Sequence, residues 1–360
     1  MRAVRLHAFG PAENLTYEKT EDPVPGPGEV RIAVAAAGVH LLDTALREGQ
    51  RGPLPELPAL PTVPGREVAG VVDALGDGVD GAWLGKRVVA HLGFAPGGYA
   101  ELVVTGADRL HEVPEGLGFA EAVAMIGTGR TALGIVGFAE PGPDDVVVVP
   151  AAAGGIGTLL VQYAKNAGAT VVGLAGGARK TALVRAEGAD VAVDYTAPGW
   201  PAEVRAHLRG RPATIVYDGV GGDVAREAVA LLGPGGRHLV FGWSAEGTGT
   251  DRQDHHAKGT GTNQPGHFTE GTGTNQPGHH AKGTGTDQPG HFTEGVSESV
   301  LGPAMLRKAG GLRALELRAL AEAAEGRLRP AVTRFPLAEA ASAHRALQTR
   351  GTTGKVVLEP

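Results

Sequence analysis

A glycine-rich turn is the first place in this sequence where residue types and their spacing indicate chemistry. The segment Pro150-Ala-Ala-Ala-Gly-Gly-Ile-Gly157 stands between the apolar run Val146 to Val149 and a stretch with apolar residues at helical steps. Between a strand and a helix, such a turn presents backbone N–H groups and a helix N-terminus to a pyrophosphate. We predict a dinucleotide site formed by Ala152, Ala153, Gly154, Gly155, Ile156 and Gly157.

The sequence after this turn decides between a cofactor site and a loop that only closes a βα unit, because Ala152 replaces the first glycine of the usual pattern. Helices are predicted from about Lys180 and Asp223. Further strands are predicted at Thr170 to Leu174, Val191 to Asp194, Thr214 to Tyr217 and His238 to Phe241. This alternation is typical of a doubly wound parallel α/β sheet, and it favours the cofactor site.

The end of the second predicted strand indicates which nicotinamide cofactor binds. An NAD site places Asp or Glu there, about 20 residues beyond the glycines, to bind the ribose hydroxyls. The stretch Leu174-Ala-Gly-Gly-Ala-Arg-Lys180 contains no acid, while Arg179 and Lys180 can pair with a 2′-phosphate. We predict NADPH, held in part by Gly176 and Lys180. The alternative is that both basic side chains are simply solvated at a helix start.

Length, charge and cysteine content limit the class of protein. At 360 residues the chain is longer than one average domain, and short apolar runs cut by Gly and Pro predict a mainly β domain before about Ala122. The net charge of -6 favours neither nucleic acid nor a membrane as partner. Without cysteine, thiolate zinc sites and disulfides are excluded. Met1 to Asn14 lacks a signal-peptide core, so a cytoplasmic location is predicted.

Four tandem units of twelve residues cover Gly247 to Glu294. With only Phe268 and Phe292 as large apolar residues, this tract buries too little surface to offset its ordering entropy, and we predict that it is disordered. A metal-binding tract, a neutral expansion and a misread stretch of gene are the alternative explanations. Its histidines are His255, His256, His267, His279, His280 and His291.

Six blocks of sequence carry a resemblance to a known family. They are Gly26-Pro-Gly-Glu-Val, Ala36-Ala-Gly-Val-His-Leu-Leu-Asp43, Val63-Pro-Gly-Arg-Glu-Val-Ala-Gly-Val-Val72, Gly97-Gly-Tyr-Ala-Glu101, Ala151-Ala-Ala-Gly-Gly-Ile-Gly157 and Thr353-Gly-Lys-Val-Val-Leu358. These resemble the signature blocks of the medium-chain dehydrogenase/reductase family, in its zinc-free quinone oxidoreductase, or zeta-crystallin-like, branch. The resemblance covers essentially everything outside the repeats.

The resemblance implies two domains with an active site in the cleft between them. A GroES-like substrate domain would comprise residues 1–123 and 303–360, and a Rossmann domain residues 124–302. By analogy, Tyr195 would lie near the adenosine phosphate, Phe241 and Gly242 near the nicotinamide, and Lys355 near the cofactor. Val296 to Leu301 resembles the last Rossmann strand, which in this family often pairs with its symmetry mate, so we predict a homodimer.

A contrast with the zinc-dependent branch identifies candidate catalytic residues. Where that branch has a Cys and a His as zinc ligands, this chain has His40 and Arg66, so no metal site is predicted. Carbonyl polarisation must then come from hydrogen-bond donors. Candidates are His40, Thr131 and Arg130, whereas Asp43 would orient its loop. His40 stands where the zinc-free branch commonly has an Asn. The alternative to a donor role is that His40 is a partly buried histidine whose ring is hydrogen-bonded to the backbone.

These features together predict an NADPH-dependent reductase that transfers hydride to a quinone or an α,β-unsaturated carbonyl compound without zinc. An enoyl or alkenal reductase on the same scaffold is the nearest alternative, differing only in pocket shape. An NADPH-binding redox-sensing or structural protein without turnover is an alternative of another class. In each case the partner is a small molecule.

Overall fold

The computed structural model describes residues 1–52, 54, 56–242 and 296–360. Its helices are α1 (Leu41–Arg47), α2 (Phe119–Ala124), α3 (Arg130–Val136), α4 (Gly155–Asn166), α5 (Ala178–Ala186), α6 (Trp200–Leu208), α7 (Gly222–Val229), α8 (Pro303–Lys308), α9 (Leu312–Ala324) and α10 (Ala340–Gln348). Its strands are β1 (Arg2–Leu6), β2 (Leu15–Lys19), β3 (Glu29–Val39), β4 (Glu67–Leu75), β5 (Arg87–His91), β6 (Leu102–Gly106), β7 (His111–Glu112), β8 (Val146–Val149), β9 (Thr170–Ala175), β10 (Val191–Asp194), β11 (Ala213–Asp218), β12 (Leu232–Val240), β13 (Val296–Ser299), β14 (Val332–Pro336) and β15 (Lys355–Glu359).

The predicted doubly wound sheet is confirmed. Six parallel strands lie in the order β10-β9-β8-β11-β12-β13, the arrangement of a Rossmann domain, in which the strand order reverses between β8 and β11. Strand β8 consists of four buried valines, as expected for a strand covered on both faces. Val147 and Val149 join the apolar cluster under α4, while Val146 and Val148 join a second cluster that contains Trp200 of α6.

The other half of the chain is the predicted GroES-like, mainly β domain. Its seven-stranded sheet has the order β14-β15-β3-β4-β5-β7, with β6 paired to β3, and its pairs are antiparallel except for β14 with β15. The long strand β3 alternates buried and half-buried residues, which places one face on the core. Strands β1 and β2 form a separate hairpin whose buried residues join the same core.

Two segments connect the halves. Residues Phe119–Val136, comprising α2, a π-helical turn at Met125–Gly129 and α3, are apolar and long enough to cross a membrane, but 78% of this run is buried within the protein, so it is a core helix. The chain returns through Gly354, whose N–H donates to the carbonyl of Ala153 at 2.8 Å. The last strand therefore begins directly beside the glycine-rich turn.

The packing of α8 and α9 bears on the expected domain boundary at residue 303. Both helices contact α3, and α9 also packs on the π-helical turn. Met305, Leu315 and Leu320 belong to the cluster beneath α4. These contacts favour a return to the GroES-like half between α9 and β14, later in the chain than residue 303.

The predicted disorder of Gly247 to Glu294 lies outside the described residues, which stop at Gly242 and resume at Val296. Strands β12 and β13 on either side of this gap are parallel neighbours, with Arg237 opposite Val296 and Val240 opposite Ser299. The repeats therefore fall in the connection between two adjacent strands of the sheet.

Candidate active site

A cleft follows the carboxyl ends of the parallel strands at the point where their order reverses, which is where open α/β sheets bind ligands. It consists of two adjoining cavities of about 420 and 270 Å³. Residues that line both of them are Leu41, Ala151, Gly154, Gly155, Leu347 and Gly354. The glycine-rich turn thus forms the middle of one continuous cleft rather than a separate loop.

The backbone of the turn explains its composition. Ala151 adopts a left-handed conformation with φ of 53°, and α4 begins at Gly155 with its N-terminus at the cleft. A side chain on Gly157 would overlap the carbonyl of Ala151 and the backbone of Ala152, so only glycine lets α4 pack this closely. Of the predicted cofactor residues, Ala153, Gly154, Gly155, Ile156 and Gly157 line the cleft. Ala152 is buried behind it.

One end of the cleft is basic. Gly176, Lys180 and Tyr195, all predicted from sequence, line it together with Arg350 and Gln348. Lys180 Nζ donates to the Arg350 carbonyl at 2.5 Å. Partial burial, together with the charges of Arg179 and Arg350, lowers the pKa of Lys180. This excess of positive charge suits an anionic group.

The other end of the cleft is lined by His40, Thr128, Gly219, Phe241 and Lys355. The Phe241 ring lies against Gly219, where an added Cβ would come within 2.5 Å of the ring. Gly242 packs on the backbone of Gly219, with an added Cβ only 2.7 Å from its carbonyl oxygen. The structure therefore brings His40, Phe241 and Lys355 together, while Gly242 lies just beside them.

A buried carboxylate anchors this end. The Glu67 side chain is wholly buried, with His40 Nε2 at 2.6 Å from Oε1 and Lys355 Nζ at 2.9 Å from Oε2. Neither oxygen receives a well-directed hydrogen bond from the described residues, so these are close charge contacts. Burial alone would raise the pKa of Glu67, but the charges of His40 and Lys355 hold that pKa well below its usual range.

Glycines make room for this carboxylate. A Cβ added at Gly38 of β3 or at Gly127 of the π-helical turn would overlap the Glu67 carboxyl group. Neither glycine has a positive φ, so the need is for space and not for an unusual backbone conformation. A buried carboxylate is rare unless it is paired, and the Glu at the start of a Val-rich strand was the sequence signal for it.

Asp43 lies next to this group and fixes the start of α1. Its Oδ2 accepts the His40 backbone N–H at 2.8 Å and the Tyr99 hydroxyl at 3.1 Å. Arg66 Nε is 3.6 Å from Oδ1. Burial and the Asp43 carboxylate raise the pKa of Tyr99 well above its usual value, so the hydroxyl keeps its proton. These contacts hold the His40 backbone at the start of α1, and the role of Asp43 as a loop-orienting residue stays a prediction.

The two other candidate donors are engaged by the protein itself. The Thr131 hydroxyl donates to the Gly127 carbonyl at 2.7 Å. Arg130 pairs with Glu316, which also contacts His111 Nε2 at 2.9 Å. Thr128, three residues before Thr131, lines the cleft instead. The roles proposed for Thr131 and Arg130 stay predictions, and Thr128, Glu67 and Arg350 are the residues that the sequence reasoning missed.

The composition of this end of the cleft bears on whether it could bind a metal ion. Among the residues that the structure describes, no group of three or more His, Asp or Glu side chains could hold a metal ion. The Lys355 ammonium contacts both the imidazole and the carboxylate, 2.8 Å from His40 Nε2 and 2.9 Å from Glu67 Oε2. The six histidines of the repeats lie outside the described residues.

Comparison with known proteins agrees with this architecture. Residues 26–115 match the alcohol dehydrogenase GroES-like domain, and residues 155–260 match the zinc-binding dehydrogenase family. The quinone oxidoreductase of Pseudomonas aeruginosa is 32% identical over 242 residues, which are 67% of this chain and 73% of that protein. The 2-haloacrylate reductase of a Burkholderia species is 32% identical over 244 residues, covering 67% and 72%.

A solved structure extends the likeness to the whole chain. Escherichia coli quinone oxidoreductase, complexed with NADPH, superposes with a TM-score of 0.76 at 25% identity and covers all of both chains. The chain belongs to the medium-chain dehydrogenase/reductase superfamily, as a quinone oxidoreductase-like member. It is therefore an oxidoreductase.

Gly127→Ala tests the packing around the Glu67 carboxylate. Because the added methyl group overlaps Glu67 Oε1, we expect the free energy of unfolding to fall by about 1–3 kcal/mol, the usual cost of overpacking. Urea denaturation measures the change. Gly137→Ala at the end of α3 is the matched control, since its φ is -56° and the nearest atom to its added Cβ is 3.4 Å away. Equal stability of the two variants would contradict the packing argument.

Proposed function

We propose that this oxidoreductase uses NADPH to reduce conjugated carbonyl compounds, quinones or α,β-unsaturated carbonyls, and that it does so without zinc. The observation that carries the proposal is the single cleft that runs from Lys180 across the glycine-rich turn to His40 and Lys355. Its length and its chemistry suit a dinucleotide with a phosphorylated ribose at one end and a reacting ring at the other.

The basic end supports NADPH over NADH. Strand β9 ends at Ala175 and is followed by Gly176 rather than by an acid, so nothing there repels a 2′-phosphate. Lys180 and Arg350 line the pocket and Arg179 lies next to it. The E. coli relative was solved with NADPH bound. We assign the 2′-phosphate to Lys180 and Arg350, and the pyrophosphate to the backbone of residues 153–157.

The acceptor end of the cleft contains hydrogen-bond donors for an acceptor oxygen and apolar walls for its ring. Bound NADPH gives two electrons and one hydrogen to an acceptor carbon, and negative charge develops on the acceptor oxygen. His40 and Lys355 line this end and are the donors placed to face that charge. Phe241 and Ile156 provide apolar walls for a flat ring.

A zinc-free reaction is supported by the charges at the site. Arg66 stands where the zinc-dependent branch has a His, and it is 3.6 Å from Asp43. The Lys355 ammonium contacts both His40 and Glu67. Two cationic side chains in this position repel a divalent metal ion, and the ammonium can polarise a carbonyl oxygen in its place.

Two alternatives remain as outcomes of experiment. A 2-haloacrylate is an α,β-unsaturated acid, so the Burkholderia relative favours an enoyl or alkenal acceptor over a quinone as the second candidate. A protein that binds NADPH without turnover would use the same cleft, because the binding residues do not depend on the acceptor end. We also propose a homodimer formed through β13, an edge strand with an exposed Val296.

Lys180→Ala tests the cofactor assignment. We expect the Kd for NADPH to rise about 10- to 100-fold, since a hydrogen bond to a charged group contributes about 1.5–3 kcal/mol, while the Kd for NADH stays the same. Fluorescence titration with both cofactors measures this. Lys165→Ala is the control, because Lys165 is exposed and pairs with Asp190. Equal affinity of the wild type for both cofactors, unaltered in Lys180→Ala, would overturn the assignment.

Steady-state NADPH oxidation with a panel of quinones, enones and a haloacrylate tests the reaction. We expect turnover with at least one quinone or enone after exhaustive chelation, with no zinc found by elemental analysis. Activity that disappears on chelation and returns only with zinc would refute the zinc-free proposal. Tight NADPH binding with no turnover on any acceptor would favour the binding protein.

Analytical ultracentrifugation tests the dimer. We expect a dimer at micromolar concentration, and a shift to monomer in Val296→Lys, because a charge on an edge strand opposes pairing with another edge. Unchanged circular dichroism shows that the variant is folded. A wild-type protein that sediments only as monomer would refute the proposal.

A further inference from the structure

Three ionisable groups from distant parts of the chain meet at the acceptor end of the cleft. His40 precedes α1, Glu67 opens β4 and Lys355 opens β15. Lys355 Nζ is 2.8 Å from His40 Nε2 and 2.9 Å from Glu67 Oε2, and His40 Nε2 is 2.6 Å from Glu67 Oε1. We call these three residues the triad; its one carboxylate, Glu67, contacts both of the other members.

The triad is buried but reaches the cleft. Glu67 and Lys355 expose 0% and 4% of their side chains, whereas His40 exposes 26%. His40 and Lys355 line the cavity that also holds Phe241 and Thr128, but Glu67 does not line it. Glu67 can therefore act on a ligand only through the other two members.

The charges around the triad leave Glu67 as the counter-ion of Lys355. The other charged or titratable groups that face this region in the described part of the chain include His91, Arg130, Arg66, Asp43 and Tyr99. Arg130 is paired with Glu316, and Arg66 lies beside Asp43. Burial and the nearby Arg130 charge lower the pKa of His91 to about 3, so that ring is neutral.

A single ring nitrogen faces both a donor and an acceptor. His40 Nε2 either carries a proton, and then faces Glu67 as a charge contact, or accepts one from Lys355, but it cannot do both at once. Lys355 Nζ lies 2.8 Å from His40 Nε2 and makes a charge contact with Glu67. The triad thus holds a proton that Lys355 and His40 can exchange at the edge of the cleft.

We propose that Glu67 is a positioning residue that holds Lys355 and His40 at the acceptor end, and that these two supply the proton taken up by the reduced acceptor. The inference rests on the proposed function. A conjugated carbonyl compound that accepts a hydride gains one negative charge, which is delocalised onto its oxygen. One proton from Lys355 or His40 forms the new O–H bond, and solvent then restores the proton to the triad.

The first test uses the protein without cofactor or acceptor. The ¹³C carboxyl signal of Glu67, assigned by its loss in Glu67→Gln, is followed from pH 7 to pH 3. In the wild type we expect the carboxylate to stay ionised to well below pH 4.5, because Lys355 and His40 hold its pKa down. In Lys355→Met the signal should titrate at least one pH unit higher. An unchanged titration would refute the pairing.

The second test separates positioning from simple structural support. We expect Glu67→Gln to lower kcat at least about 100-fold, the scale of losing one preorganised donor, with the KM for NADPH changed less than threefold. The alkaline limb of its kcat profile should move to lower pH, since the ammonium has lost its counter-ion. Lys355→Arg, which keeps the charge, should retain more activity than Lys355→Met. Glu187→Gln, a half-buried carboxylate bonded to Gln162, is the control.

A double variant keeps the inference falsifiable if the single variants fold poorly. Glu67→Gln with Lys355→Met removes both charges, so no unpaired buried charge remains and thermal stability should recover. Activity should stay low, because Lys355 is gone and His40, the remaining donor, has lost the carboxylate that positions it. Recovery of kcat together with stability would show that Glu67 has only a structural role. If the wild type reduces no acceptor, the proposed function fails, yet the carboxyl titration still decides whether the triad exists.

Discussion

The close approach of the last strand to the glycine-rich turn is the constraint on which the site depends. The hydrogen bond from Gly354 N–H to the Ala153 carbonyl joins the end of the chain to the first loop of the Rossmann sheet. Gly354 has a φ of 63°, and an added Cβ there would be 2.1 Å from the Ala331 carbonyl oxygen. Glycine at this position permits the contact, which closes the cleft between the two halves and brings Lys355 into it.

The positive charge of Lys355 is buried where the two halves of the chain meet, so it needs a counter-ion at that place. The Lys355 ammonium is almost fully buried, and Glu67 is the acid in contact with it. Two glycines, Gly38 on β3 and Gly127 on the π-helical turn, leave the volume that the carboxyl group fills. Packing and electrostatics are therefore coupled at the acceptor end, since the elements that hold the halves together also hold the charges.

Much of the fold could be read from local patterns. The bounds predicted for β8 and β10 are the observed ones, because short continuous apolar runs between turn residues are strong local signals. Helix α6 was missed, since Pro201 and the Gly and Pro around it resemble a loop. Strand β12 is longer than predicted because Leu232 already pairs with Ala213 of β11, before an irregular stretch, Gly233-Pro-Gly-Gly236, after which regular pairing resumes at Arg237.

The sequence alone determined the parts of the site that one continuous segment forms, namely the turn at residues 150–157 and the basic stretch that ends in Lys180. Turn geometry and charge are properties of neighbouring residues. Only the tertiary structure decided that Thr128 rather than Thr131 faces the cleft, that Arg350 joins Lys180, and that Glu67 meets His40 and Lys355. Those contacts span up to 315 residues of chain, and no local period carries information about such distances.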